Sequence, residues 1–313
     1  MDFTLNDDEL ALRDGMRALM EGRFDIDRVR AGFTREMWTE LGAAGVFSLA
    51  GDGFGWDASV IVFEELGAAL VPGPIVGTFL AAGVDTAAAA GARVIGILER
   101  DDTPVVIEHP GDVDALLVLD DDGIVLVSPA SLELTPSDWP LDVLTPVALA
   151  AALPAGERIG DAADAGAWRR HGALLTAALQ VGLARRCLEL AVPYAKEREQ
   201  FGQPIGKFQA VKHMLADMAV AVELARASLH AAAVFCDDPA SGPADVAVAA
   251  AKALAGEAAR GNGKRATQVH GGMGFTWEVD VHLLLKRAWV LETHFGDSDH
   301  QADIVAAALP APR

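Results

Sequence analysis

Tyr194 to Gln209 reads YAKEREQFGQPIGKFQ, and further along Gln268 to Glu278 reads QVHGGMGFTWE. Gly271, Gly272 and Gly274 crowd the second segment, and glycines allow backbone N–H groups to approach a pyrophosphate closely. In the first, Arg198 offers a guanidinium, the side chain that makes charge-assisted, bidentate bonds to phosphate oxygens. Gln209 and Gln268 add hydrogen-bonding amides, and Phe201 adds a flat apolar surface. Each feature alone has a plainer reading. A Gly-Gly-x-Gly is equally a helix–helix turn. Arg198 stands between Glu197 and Glu199 and reads as a surface ion pair. Phe201 reads as core, and Gln209 with His213 as a solvated helix face.

Outward from these segments the pattern is helical. Val211, Leu215, Met218, Val222, Ala225 and Leu229 step by four and three, which draws one apolar stripe down a long helix, as in a four-helix bundle. Leu174 to Tyr194 marks the helix before it, and Ala247–Ala259 and Val281–Leu291 mark two after it, with the Asp237–Pro243 loop between the second and third. The spacing near the N-terminus predicts a capped helix from Asn6, a second around Trp38, Leu41, Val46 and Phe47, and a third over Val60–Leu70. Pro72-Gly73-Pro74 ends the third, and an Ala-rich helix follows over Ile75–Ala90. Residues 92–160 change character. Short apolar runs at Arg93–Leu98, Val105–Ile107, Ala115–Leu119 and Ile124–Val127 alternate with turns, and Asp120-Asp121-Asp122-Gly123 signals a hairpin. Pro136, Pro140, Pro146 and Pro154 then punctuate a looser stretch. The expected fold is mostly α with a small middle β-domain: an N-terminal helical unit (1–91), a reduced β-domain (92–164) and a C-terminal helical bundle (165–313).

Composition narrows the partners. The 313 residues carry 25 basic and 45 acidic side chains, a formal charge of −20. That excess repels nucleic acid and mildly disfavours this chain as the main holder of polyanionic coenzyme A. Cys187 and Cys236 suggest no disulfide framework and fit a reducing cytoplasm. Met1-Asp2 and Asp7-Asp8 lack the basic start of a signal peptide, and no apolar stretch reads as a membrane span.

The two segments, the α–β–α order and the terminal bundle together resemble the flavin-dependent acyl-CoA dehydrogenases. The resemblance covers most of the chain and is specific in its C-terminal half. It implies that Arg198, Phe201, Gln209, Gln268, Gly271, Gly272 and Gly274 hold the ADP end of an FAD seated in a neighbouring subunit. It implies further that electrons leave to an electron-transfer flavoprotein. In such enzymes a glutamate removes the α-proton of an acyl thioester while the β-hydride passes to the flavin. The family carries that glutamate in one of two places. One precedes a Gly-Thr after the last long helix, which here is Phe295 before Gly296. The other lies ten residues before a Gly-Leu pair, which here is Gly172 before Gly182-Leu183. Neither is a carboxylate, so no catalytic residue is assigned. Glu292 and Asp297 are the nearest acids in sequence. The Thr-Glu-Pro and Gly-Ser segments of the family's flavin pocket are also missing from residues 92–160, and Thr39-Glu40 has no Pro after it.

A chain with the clamp and without the pocket implies a partner that has the pocket: a full-length homologue in an α2β2 acyl-CoA dehydrogenase that holds most of the acyl-CoA. The resemblance associates such split enzymes with steroid degradation. Two other readings stay open, a homomeric enzyme with a displaced carboxylate base and a non-enzymatic scaffold.

Overall fold

Asn6 opens the first helix with a reciprocal cap: its side chain accepts from the N–H groups of Asp8 and Glu9, and the Glu9 carboxylate accepts from the Asn6 N–H. The computed structural model describes residues 5–101 and 104–310, so Met1 and Asp2 lie outside the described residues. The first helix is α1 (Asp7–Arg23), followed by α2 (Ile26–Arg30), α3 (Arg35–Ala43), α4 (Trp56–Ala68), α5 (Ile75–Ala81) and α6 (Thr86–Ala89). Two expectations fail here. Val46 and Phe47 are buried but lie beyond α3, because Gly45 turns the chain at φ +78°. The Ala-rich run is two helices, because Asp85 accepts from the N–H groups of Ala87 and Ala88 and so starts a new one.

Seven strands follow in two sheets. They are β1 (Ile95–Glu99), β2 (Val105–Glu108), β3 (Ala115–Asp120), β4 (Gly123–Val127), β5 (Leu134–Pro136), β6 (Val147–Ala150) and β7 (Glu157–Asp161). One sheet has the order β1-β3-β4-β7, with β1 and β3 parallel; the other has β2-β6-β5, all antiparallel. The β3–β4 hairpin sets Asp120 opposite Gly123 at φ +146°. The proline-marked stretch holds three strands that the prolines concealed. Pro136 is tolerated because β5 is an edge strand.

The C-terminal half is α7 (Ala162–Glu197), a two-residue hairpin β8 (Glu199–Gln200) and β9 (Gln203–Pro204), then α8 (Gln209–Asp237), α9 (Ala244–His270), α10 (Val281–Thr293) and α11 (Ser298–Ala307). On α8 the stripe is inward: Met218, Val222, Ala225 and Leu229 are buried. Among the described residues α8 alone is long and apolar enough to cross a membrane, and it packs along α7 and α9 as a bundle member.

α7 is the spine, touching α4, α8, α9, α10 and the β-domain. Its contact with α4 is backbone on backbone. A Cβ on Gly182 would lie 2.0 Å from the Glu64 carbonyl oxygen, and one on Gly67 would lie 2.2 Å from that of Leu179. Charges surround the contact. Glu64 accepts from Arg185 at 2.9 Å and Arg226 at 2.8 Å, and Glu65 from Arg185 and Arg17, each at 2.8 Å. Burial alone would raise the Glu64 pKa; Arg226 and Arg185 outweigh it and hold the carboxyl below its usual range. Gly182→Val should therefore cost at least about 3 kcal/mol in urea unfolding, because backbone cannot yield as a side chain can. Gly166→Ala, on the same helix with nothing within 4 Å of its Cβ, should instead gain up to about 1 kcal/mol. Equal effects would mean that the α4–α7 contact is not close.

Candidate functional site

Arg198 ends α7. Its N–H bonds the Tyr194 carbonyl at 2.8 Å and its own carbonyl accepts from the Ile205 N–H at 2.7 Å, so the backbone is tied on both sides. Its side chain is exposed and, among the described residues, makes no ion pair, with Glu197 and Glu199 included. The hairpin turns at Phe201 and Gly202, both left-handed at φ +53° and +79°, and leaves Phe201 91% exposed. Phe201 is therefore not core within this chain. Gln209 starts α8, exposed. At the far end of α9, Gln268 is exposed, and Gly271 at φ +62° begins a 3-10 turn, Gly271–Phe275. Gly271 and Gly272 have open space where a Cβ would stand, whereas Gly274 is pressed to 2.6 Å from the Thr267 carbonyl oxygen. Tyr194 stacks on His270, with ring centroids 4.2 Å apart, which brings both segments to one end of the bundle. The Gly271 N–H is itself bonded to the Gln268 carbonyl. An unpaired guanidinium, exposed amides and a glycine turn with open space above Gly271 and Gly272 fit a phosphate-bearing cofactor presented from outside the chain.

The two base positions turn out to be one place. A Cβ on Gly172 would stand 2.2 Å from the Phe295 ring. Phe295 sits at φ +54° in the turn after α10, packed against both core clusters. Buried side chains hold that turn. Gln301 donates to the Phe295 carbonyl at 2.7 Å, and Lys252 donates to the carbonyls of Leu291 (3.2 Å), Glu292 (3.3 Å) and Gly296 (3.4 Å). Burial pushes Lys252 down to about 8. The nearby acids are engaged, except for Oε2 of Glu292, which is buried with no hydrogen-bond partner among the described residues. The Glu292 carboxylate accepts from the Ser298 N–H and hydroxyl and pairs with Arg260 at 3.4 Å, and Asp297 caps α11 through the His300 N–H at 2.9 Å.

A cavity of about 1290 Å³ lies between α4, the β-domain and the bundle, with Phe295 on its wall. Apolar residues such as Leu66, Val76 and Ile97 share its lining with charged contacts that the sequence did not signal: the ion pairs Glu99–Arg169 at 2.9 Å, Asp245–Arg170 at 3.0 Å and Asp142–Arg287, and the Glu108–His294 hydrogen bond at 2.8 Å. The partners come from separate elements, so no local spacing announces them. Burial would raise Glu108, but His294 overcomes it and holds the carboxyl at about 2. His109, with φ +49°, is pushed down to about 4 by burial, and so is His171. A histidine depressed in the folded state binds its proton more readily when unfolded. Stability is then full above about pH 6.5 and is lost as pH falls towards 4, by on the order of 3 kcal/mol for His109. His109→Asn, which tolerates the left-handed backbone, should flatten this fall in a series of thermal melts; an unchanged slope would show His109 to be protonated in the fold.

Known proteins place the chain within a family. A model of the acyl-CoA dehydrogenase C-terminal domain matches residues 169–309, which contain both motif segments and both base positions. The acyl-CoA dehydrogenase IpdE2 of Mycolicibacterium smegmatis is 33% identical over 303 residues, covering 91% of this chain and 93% of that protein. Among solved structures, a chain of the ChsE4-ChsE5 complex from Mycobacterium tuberculosis matches with TM-score 0.85 at 26% identity, over 99% of this chain and 100% of that one. A chain of the Tcur3481-Tcur3483 steroid ACAD matches with TM-score 0.84 at 24% identity over 97% and 98%, a likeness of fold alone. The helical bundle, its glycine turn and near-full-length similarity make this chain a member of the acyl-CoA dehydrogenase family, oxidoreductases acting on CH–CH bonds.

Proposed function

We propose that this chain is the FAD-clamping, non-catalytic subunit of a heteromeric α2β2 acyl-CoA dehydrogenase. Phe295 against Gly172 carries the reading: an aromatic ring fills the one place where either family position would put a carboxylate, and a general base must be a carboxylate free to reach the α-carbon. Asp297 caps a helix and Glu292 is held through one oxygen by Ser298 and Arg260, which does not favour a displaced base, although the other Glu292 oxygen is buried without a partner among the described residues. The clamp set, by contrast, is whole, which argues against a scaffold without flavin. FAD, when bound, supplies the hydride acceptor. Arg198 neutralises its pyrophosphate, the open turn at Gly271 and Gly272 lets the backbone approach it, Gln209 and Gln268 hydrogen-bond its ADP end, and Phe201 covers an edge. The partner, a full-length homologue, contributes the flavin pocket, the glutamate and most of the acyl-CoA contacts.

The clamp and the Gly172–Phe295 contact lie towards opposite ends of α7. Gly172 and Arg198 are 26 residues apart, roughly 40 Å of helix, which a dinucleotide does not span. One chain's clamp thus serves a pocket on another chain. Exposed apolar side chains fit such an interface: Phe275 is 77% exposed, and Val220, Leu224, Leu254 and Trp277 also face outward. The association of split enzymes with steroid degradation suggests a polycyclic acyl-CoA as substrate, with an electron-transfer flavoprotein as acceptor and the cytoplasm as the setting.

Released-FAD absorbance on the purified complex should give two FAD per α2β2, one for each pocket of the partner; four would mean that this chain has a working pocket. Arg198→Ala should weaken FAD retention about ten- to a hundred-fold without dissociating the subunits, the loss expected for one charge-assisted phosphate contact. Full retention through dilution and gel filtration would remove Arg198 from the site.

A further inference from the structure

The clamp is built from two pieces that do not share a backbone ladder. Arg198, Phe201 and Gln209 belong to the connection between α7 and α8; Gln268, Gly271 and Gly272 belong to the end of α9. Among the described residues, the hydrogen bonds between segments 194–209 and 266–278 all come from Tyr194, whose single hydroxyl proton is shared between the His270 carbonyl at 3.4 Å and the Met273 sulfur at 3.8 Å. Both bonds are long. The larger contact is the ring stack, 4.2 Å between centroids and 26° between planes. His270 is buried and its ring is aimed by an Nδ1 bond to the Ala266 carbonyl at 2.8 Å. Tyr194, the chain's single tyrosine, stands one helical turn before Arg198 and accepts the Arg198 N–H. His270 immediately precedes Gly271, where the chain turns left-handed.

We propose that Tyr194 and His270 are positioning residues for the cofactor clamp, a stacked pair that fixes the spacing between the Arg198 turn and the glycine turn. This rests on the clamp reading above. A ligand held at both turns gains from the second contact only when their separation is set beforehand, because otherwise binding must order one turn against the other. The stack does that ordering in the free protein. It touches no cofactor atom in this account and acts only through its neighbours on either side.

The test is FAD affinity and stoichiometry of the assembled complex, not turnover. Tyr194→Phe keeps the ring and should hold FAD within about three-fold of the parent; Tyr194→Leu and His270→Leu should each weaken it about ten-fold. His270→Phe, which restores a stacking ring, should recover retention to within about three-fold. In the Tyr194→Leu background, Arg198→Ala should cost distinctly less than it does alone, because a misplaced guanidinium has less to lose. A merely structural role would give additive losses and no rescue by His270→Phe, and that result overturns the proposal. If Tyr194→Leu does not assemble, the His270→Leu and His270→Phe pair decides. If Arg198→Ala weakens FAD and neither leucine variant does, the positioning proposal falls and the clamp stands. If none of them changes FAD retention, the clamp reading falls and the positioning proposal with it.

Discussion

The contact between α4 and α7 at Gly67 and Gly182 is the constraint on which the remaining structure depends. It brings two helix backbones to a separation that no side chain can share, and so fixes where α7 runs. Arg185 and Arg226 then close over Glu64 and Glu65 and tie α1, α4, α7 and α8 together. These buried charges are weak evidence for net stability, since desolvation offsets most of their attraction. Their value is specificity: any other packing of the four helices leaves a carboxylate buried and unpaired. With α7 placed, its faces distribute function along one axis, with Gly172 at the cavity wall, Gly182 at the α4 contact, and Tyr194 and Arg198 at the clamp.

The cavity and the clamp differ in how they treat charge. Around the cavity, basic groups are already paired with acids: Arg169 with Glu99, His294 with Glu108 and Arg287 with Asp142. A polyanionic ligand entering there meets no free cation on these groups and would have to displace a carboxylate. Arg198 is the reverse, an exposed guanidinium with no acid on it among the described residues, at the same end of the bundle as the exposed glycine turn at Gly271 and Gly272. The same acidic chain thus leaves Arg198 unpaired at its surface, where another subunit can present a phosphate.

What the sequence made legible was local. The four-three stepping on α8, the hairpin at Asp120–Gly123 and the two motif segments each lie within a few turns of chain, and propensity or glycine geometry signals them directly. What it hid was non-local or ambiguous. Asp297 could be read as an acid near a base position because its other use, capping α11, required knowing that α11 exists. The prolines of 136–154 concealed edge and short strands. Partners such as Glu108 and His294 meet only after the β-domain has packed on the bundle. Lys252, buried to bind three carbonyls, looked like any other lysine of an amphipathic helix.

The nature of the replacement at the base position follows from the same packing. Loss of a carboxylate alone would leave a hole beside Gly172, and a hole in a bundle is costly. Here a phenyl ring fills it, and that ring also packs against the core of the β-sheet, around Ile95, Leu117 and Ala165, as well as that of the bundle. Burying an aromatic ring contributes on the order of 2 kcal/mol. Gln301 and Lys252 add hydrogen bonds that keep the left-handed turn in place. Restoring a carboxylate at position 172 would drive it into Phe295, and restoring one at 295 would remove an apolar bridge between two cores and bury a charge. Each single reversal is thus opposed by stability. The chain keeps the acyl-CoA dehydrogenase fold while the packing of its own core holds Phe295 against Gly172.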